Sequence, residues 1–246
     1  MAFPTVANRT GAATTSAATT LVVPFTQTTG DFVIIFIAND TTTISTLSDG
    51  FSQITDNTGA TRIIYKSSLD GTEGGDCTIT FSGSCKSCAT SYNIQGASTT
   101  DTPQFSTVTT GSSTSPDPGS LSPTGGAKDY LWFAFAGLGG EDASAPISSA
   151  PTDFTNLTTR STGTAGTVAT NSSLGTAERQ LNASSLDPGV FTLSTTRDWR
   201  AYTVAVHPAP ASGPTNLKSL DTNVKSNIKS YNTNLIANVK SINTNS

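Results

Sequence analysis

Charged side chains are scarce in this chain of 246 residues. Asp, Glu, Lys and Arg together make up 12% of the sequence, which is about half the share of an average soluble domain. The formal net charge is −4 at pH 7. Because binding to a phosphate backbone needs a basic surface, this balance argues against nucleic acid as a partner.

Histidine is nearly absent, and this restricts the chemistry open to the chain. His207 is the single histidine, whereas many acid–base mechanisms and metal sites use this residue type. It stands before Pro208 at the end of a predicted strand, where we expect a plain surface residue without a catalytic role. The sequence also contains no G-x-S-x-G elbow, no P-loop and no strand followed by G-x-G-x-x-G. These absences predict a protein that is not an enzyme and binds no cofactor.

Long apolar runs are missing too. A helix needs roughly 20 consecutive apolar residues to cross a bilayer, and no segment approaches that length. Residues 1–5 contain neither the basic region nor the apolar region of a secretory signal peptide. The sequence therefore predicts no membrane partner and no secretory export.

The chain has only three cysteines, Cys77, Cys85 and Cys88. The last two have C-x-x-C spacing, but a zinc site needs two further ligands, and only Cys77 and His207 are available. A thioredoxin-like motif would require a βαβ unit, which the sequence does not predict. We expect free cysteines with a structural role. A disulfide and a metal site are the alternatives, and the odd number would let one thiol bond a neighbouring chain.

One loop contains a small group of carboxylates. Asp70, Glu73 and Asp76 lie among glycines, and loop carboxylates are ligands of calcium. They lack the order of an EF-hand, and Asp and Gly are ordinary turn residues, so we predict no metal site.

Carbohydrate chemistry is a further alternative. Tyr130, Trp132 and Trp199 suit either a sugar-stacking platform or a β core, and we expect the core. A pair of catalytic carboxylates for glycoside cleavage stays open, because their separation cannot be read from the sequence.

Thr, Ser, Asn and Gly are abundant, which is typical of an all-β protein with many loops. The segment 32–38 is apolar at every position and rich in β-branched and aromatic residues. Turn residues bracket it, Gly-Asp at 30–31 and Asn-Asp at 39–40. The pattern predicts a central strand buried on both faces, in preference to a buried helix.

Further strands are expected at intervals along the chain. A strand at 21–25 contains Pro24, which suits a sheet edge or a bulge. The segment 77–81 alternates like a half-buried strand, and residues 82–84 are predicted to turn the chain. The other candidates are 61–66, 89–94, 105–108, 130–136, 153–157, 167–171, 178–181, 191–194 and 199–206.

Short, regularly spaced strands predict an antiparallel β-sandwich or jelly roll. No break in composition divides residues 1–207, so we expect one domain there. Residues 208–215 are rich in proline and predict a semi-stiff linker.

Residues 216–246 contain an eleven-residue repeat, in which 217–227 aligns with 228–238 and a third copy begins at Val239. The apolar positions are spaced by three, four and four residues. This is a helical period of about 3.67 residues per turn and predicts right-handed supercoiling.

These apolar positions form a stripe that we expect to be an assembly interface. Ser, Thr and Asn are weak helix formers, so a single helix of this sequence is marginal in water. An uncovered apolar stripe is unfavourable, so the tail is predicted to become helical when it assembles with a partner. A disordered polar tail is the alternative. The predicted interface consists of Leu217, Leu220, Val224, Ile228, Tyr231, Leu235, Val239 and Ile242.

Four segments carry a resemblance to known proteins. They are 30–36, 129–134, 187–193 and 199–206, the first being Gly-Asp-Phe-Val-Ile-Ile-Phe. In this order they resemble a group of tailed-phage and prophage virion proteins of the minor structural, decoration or fibre type. The tandem Lys-Ser-x-Asn units at Lys229 and Lys240 are similar to short C-terminal repeats of phage proteins.

The resemblance implies a structural or adhesive role in a virus particle and carries over no catalytic residue. The chain would be synthesised in the host cytoplasm and reside in the virion, on the capsid or the tail. Its partners would be other virion proteins or further copies of itself, with a trimer favoured by analogy with viral fibres. A carbohydrate- or receptor-binding module that recognises host surface glycans is the alternative. A glycan-cleaving enzyme is a third.

Overall fold

A computed structural model describes residues 2–40, 42–55, 59–139, 147–163 and 171–211. These residues form sixteen β-strands and no helix, and the strand pairings are antiparallel. The all-β prediction is therefore confirmed for the described ranges. The strands belong to one compact unit, Met1–Ala209. The predicted tail at 216–246, with its eight interface residues, lies outside the described residues.

The strand bounds place every element along the chain. The strands are β1 (Thr5–Ala13), β2 (Ala18–Pro24), β3 (Phe32–Asn39), β4 (Ile44–Leu47), β5 (Ser52–Gln53), β6 (Thr61–Lys66), β7 (Asp76–Cys85), β8 (Ser87–Gln95), β9 (Gln104–Phe105), β10 (Thr109–Ser113), β11 (Lys128–Gly139), β12 (Ile147–Ser149), β13 (Thr155–Ser161), β14 (Ser172–Ala183), β15 (Thr192–Leu193) and β16 (Arg197–Val206).

Two large sheets face each other at the centre. The first has the order β1-β8-β3-β6-β5 and the second β10-β16-β11-β14-β13, with β9 also paired to β16. Their facing sides share one apolar cluster, which includes Phe36, Tyr92 and Phe133. The Phe36 ring centroid lies 5.2 Å from that of Phe133 and 5.8 Å from that of Tyr92. This packing of sheet on sheet is a β-sandwich.

The apolar run at 32–38 is explained by cover on both sides of the first sheet. Every residue of β3 is buried. Ile34 and Phe36 belong to the cluster between the large sheets, whereas Val33 and Ile35 belong to a second cluster under the three-stranded sheet β2-β7-β4. Successive side chains of a strand point to opposite faces, so a strand covered on both faces has no solvent-facing position. The predicted central strand is confirmed.

Strand β11 has the same environment in the second sheet. Phe133 faces the first sheet, while Trp132 and Ala134 belong to an outer cluster together with Ile147 and Leu193, of β12 and β15. The molecule therefore has four layers, in which each large sheet is covered on both sides. This explains why 130–136 is also apolar throughout.

The two halves of the unit repeat one topology. Strands β11, β13, β14 and β16 hold the places that β3, β5, β6 and β8 hold in the first half. The pair β12–β15 corresponds to the pair β4–β7. Strands β9 and β10 both pair with β16, and together they take the place of β1 beside β8. No break in composition revealed this internal repeat.

Local sequence marks the same repeat at one position. Ser-Ser-Leu-Asp follows β6 at 67–70 and follows β14 at 184–187. The leucine is buried in both copies. The amide of Leu69 donates to the carbonyl of Asp31 at 2.9 Å, and the amide of Leu186 donates to the carbonyl of Leu121 at 2.9 Å. The shared tetrapeptide thus closes the same part of each half.

Three strand predictions need comment. The turn predicted at 82–84 is wrong, because β7 continues to Cys85 with hydrogen-bonding partners on both sides, Ala18 of β2 and the carbonyl of Thr43. The strand predicted at 105–108 is replaced by β9 and β10, which flank those residues. Pro24 lies in an edge strand, as predicted. Most of the strand predicted at 167–171 lies outside the described residues.

Candidate functional site

A groove opens to solvent where β16 ends and β9 begins. It has a volume of about 420 Å³, within the range of small-molecule sites, about 300–1,000 Å³. The lining residues come from β9 and the loop before it, from the loop before β11, and from the residue after β16. They are Asp101, Thr102, Pro103, Gln104, Phe105, Thr124, Gly125, Lys128 and His207.

Backbone pairing holds the groove in place. Gln104 and Phe105 pair with Ala205 and Val204 of β16. The amide of Ser98 donates to the carbonyl of His207 at 2.9 Å, so the chain after β16 is joined to the connection between the two halves. The groove therefore lies on a sheet end fixed from two directions.

The side chain of Gln104 is fixed by three hydrogen bonds. Its Nε2 donates to Thr124 Oγ1 at 2.9 Å and to His207 Nε2 at 3.0 Å, and its Oε1 accepts from the Thr124 amide at 2.9 Å. These bonds tie together β9, the loop before β11 and the end of β16. The polar wall of the groove is thus rigid before any ligand arrives.

His207 is buried, with 5% of its surface exposed, so the expectation of a surface residue is wrong. The sheet end and the Tyr130 ring, whose centroid lies 5.1 Å away, cover it. Burial lowers the pKa of His207, which favours a neutral ring. Since its Nε2 accepts from Gln104, the ring proton belongs on Nδ1, which is buried without a partner. The recorded contacts of the ring are with an amide and a phenol ring, and neither is a nucleophile.

The outer part of the groove combines an aromatic ring with two opposite charges. Phe105 is 38% exposed and packs edge-to-face on Tyr202. Asp101 and Lys128 lie on either side in the sequence order of the lining, and no ion pair or side-chain hydrogen bond engages either group in the described structure. The groove can therefore offer an apolar face, an acceptor and a donor to one ligand.

A second polar cleft, of about 330 Å³, lies between β1 and β13. Glu178 Oε1 accepts from the Arg9 guanidinium and from Asn156 Nδ2, the latter at 2.7 Å. Glu178 Oε2 is buried without a partner. Arg9 is in the first half and Glu178 in the second, so this ion pair links the two halves. It brings one carboxylate into the cleft, whereas glycoside cleavage uses two.

The acidic loop between β6 and β7 is a structural clasp. Glu73 Oε1 accepts from the Lys66 ammonium at 2.6 Å and from the Asp70 amide at 2.8 Å. Its Oε2 accepts from Gln27 Nε2 at 2.6 Å and from the Gly71 amide at 3.1 Å. A carboxylate has about four lone-pair sites, and all are engaged. The loop is explained by these bonds without a calcium ion.

Replacing Glu73 by Gln is expected to lower the free energy of unfolding at pH 7 by about 2 kcal/mol. Burial by itself would raise the pKa of Glu73, but the bonds from Lys66, the Asp70 amide and Gln27 outweigh it and hold the pKa well below its usual range. This contribution is complete above the pKa of an unfolded glutamate, about 4.3. It is lost as the pH falls from there toward the folded-state pKa.

Urea unfolding of both proteins between about pH 6 and 3 tests this linkage. The native chain should lose stability below about pH 4.3, and Glu73→Gln should lose less, because its side chain does not titrate. Asp153→Asn is the control, because its pair with Arg179, at 3.4 Å, lies on the surface and such pairs contribute less than about 1 kcal/mol. Parallel pH profiles for the native chain and Glu73→Gln would contradict the prediction.

The three cysteines are free and buried. Burial raises the pKa of Cys77 to about 12 and raises the pKa of Cys88 further above its usual range. The Cys88 thiol lies 3.6 Å from the carbonyl of Arg160 and 3.7 Å from that of Ser172. Buried, protonated thiols are inert, which agrees with the structural role predicted for them.

The aromatic residues predicted for the core lie there. Trp132 is fully buried and donates from Nε1 to the carbonyl of Leu181 at 3.0 Å. Tyr130 is fully buried, and Trp199 is 9% exposed. They form no sugar-stacking platform. The exposed ring at the groove is Phe105, which sequence reasoning missed because its short strand lies among Thr, Ser and Pro residues.

Comparison with known proteins found no matching family model, no matching curated protein and no matching solved structure. In the described ranges, no group of three or more His, Cys, Asp or Glu side chains is arranged to hold a metal ion. No helix in this part of the chain is long and apolar enough to span a membrane.

Proposed function

We propose that the chain is a non-enzymatic structural protein of a bacteriophage virion, displayed on the capsid or tail and attached through its C-terminal repeat. The observation that carries the proposal is the strand order, which occurs twice. In the first half it is β1-β8-β3-β6 in one sheet and β2-β7-β4 in the other.

This order supports a jelly roll in each half. An eight-stranded jelly roll places strands 1, 8, 3 and 6 in one sheet and strands 2, 7, 4 and 5 in the other, through two Greek keys. The first half differs in that β5 pairs with β6. Jelly rolls are common in viral capsid proteins and in lectins, so the order favours a particle protein or a glycan binder over other classes.

The composition of the chain supports a role as a display protein. Charged residues are few, and Thr, Ser and Gly supply much of the polar surface. The tail would provide attachment, because its apolar stripe needs a partner to be covered. Assembly around an axis would bury the stripe and leave Lys218, Lys229 and Lys240 outside, so folding and assembly of the tail would be coupled.

Truncation after Ala211 is expected to abolish both self-association and incorporation into particles. The full chain should have a solution mass near three times 25.2 kDa, measured by light scattering, and the truncated chain the mass of one copy. Val224→Asp, on the stripe, should act like truncation. Lys225→Asp, one residue away and off the stripe, is the matched control. A truncated chain that keeps its mass and its place on the particle would refute the attachment role.

A carbohydrate- or receptor-binding module is the second candidate. The groove with the exposed Phe105 ring and the unengaged Asp101 and Lys128 side chains favours it. Sites for small ligands combine an apolar surface with a few placed polar groups. A glycan array with the full chain separates this role from that of a passive structural protein.

A further inference from the structure

We propose that the groove around Phe105 binds a neutral saccharide, with one pyranose ring on the aromatic face and its hydroxyl groups bonded by Asp101 and Lys128. The inference rests on the second function proposed above and not on attachment to a particle. It names the site, the class of ligand and the residues that make contact.

The groove lies where the second half of the unit departs from the first. One unbroken strand, β1, borders β8, whereas its counterpart beside β16 is divided into β9 and β10. The break follows Phe105, and the groove opens there. Since the first half forms the same sheet without a break, we attribute the break to binding and not to folding.

The groove is organised before binding. Gln104 is held by Thr124 and His207 through three hydrogen bonds of 2.9 to 3.0 Å. The Tyr130 hydroxyl donates to the carbonyl of Gly126 at 2.9 Å, which fixes the loop before β11. A rigid site avoids the entropy cost of ordering side chains on binding. Shallow grooves of weak affinity benefit most from this, because few contacts are available.

An aromatic ring beside polar groups suits a sugar better than a purely apolar ligand. One face of a pyranose carries C–H groups, which pack against the electron-rich face of an aromatic ring. Phe105 is 38% exposed and is available for this contact. The sugar hydroxyls both donate and accept, so Asp101 can accept one hydrogen bond and Lys128 can donate another.

The charges of the groove favour a neutral ligand. Asp101 and Lys128 are the ionisable side chains of opposite sign in its lining, and they balance. His207 adds no charge, because burial favours its neutral form. An anionic glycan would gain from Lys128 and lose at Asp101, and the reverse holds for a cation. A neutral hexose unit has no such conflict.

The test is a glycan array with the labelled full-length chain, followed by NMR titration with cellotriose, maltotriose, chitotriose and polygalacturonate. We expect at least one neutral probe to bind and polygalacturonate to bind more weakly. Phe105→Ala should weaken binding at least about tenfold. Lys128→Met, which keeps the length of the side chain and removes the donor, should also weaken binding.

Val190→Ala is the matched control, because Val190 is 45% exposed and is not part of the groove lining. It should bind like the native chain. Melting temperatures of all variants should stay close to the native value, since each changed side chain is at the surface. Absence of binding on the array and up to about 10 mM of each probe would overturn the proposal. Unchanged binding by Phe105→Ala would overturn it too. Neither result bears on attachment through the tail, which truncation tests separately.

Discussion

Replacing Ile35 by Asp is expected to destabilise the fold by more than about 4 kcal/mol. Ile35 is fully buried in β3, in the cluster between the first large sheet and the sheet β2-β7-β4. Both faces of this strand are covered, so a carboxylate there cannot reach water without separating two layers. It must be protonated or stay buried without a partner, and both cost free energy.

Thermal or urea unfolding followed by circular dichroism measures this effect. Val22→Asp is the control, because Val22 is 51% exposed on β2, in the sheet that covers Ile35. It should change the free energy of unfolding by less than about 1 kcal/mol. An unchanged melting temperature for Ile35→Asp would contradict the position of β3 inside the molecule.

Replacing Phe36 by Ala is expected to cost about 3–5 kcal/mol. Phe36 is fully buried between the two large sheets, and its ring centroid lies 5.1 Å from that of Phe135 in the second half. Truncation leaves a cavity that both halves line, because Tyr92 of the first half and Phe133 of the second also contact the ring. The loss is therefore shared by both halves.

Two probes can test whether the halves unfold together. Both tryptophans, Trp132 and Trp199, lie in the second half, so their fluorescence reports on it, whereas far-ultraviolet circular dichroism reports on both halves. The two transitions should coincide in the native chain and in Phe36→Ala, since one cluster joins the halves. Phe105→Ala is the matched control and should have little effect, because its ring is partly exposed. Separate transitions would contradict a shared core.

Local patterns predicted the elements whose environment is uniform along the strand. The run at 32–38 is covered on both faces and is apolar throughout, and the alternating segment 77–81 is buried on every second residue. Prediction failed where distant partners decide. Residues 82–84 resemble a turn, yet β2 and β4 supply hydrogen bonds that keep them extended.

The candidate site could not be predicted for the same reason. Gln104 and Phe105 are two residues of a Thr-, Ser- and Pro-rich stretch, and their strand exists because β16 offers an unpaired edge there. His207 was expected at the surface from its place before a proline. It is buried because Tyr130 and Gln104, distant in sequence, pack on it.

The sequence by itself determined the all-β class, the central strands β3 and β11, the structural role of the cysteines, and the eleven-residue repeat of the tail. These follow from composition and from periodicities within single segments, which are local properties. Only the tertiary structure decided the four layers, the repetition of one strand order in the two halves, the Glu73 clasp and the groove at Phe105. Each of these depends on contacts between residues far apart in the chain, and no local pattern encodes which distant segments will meet.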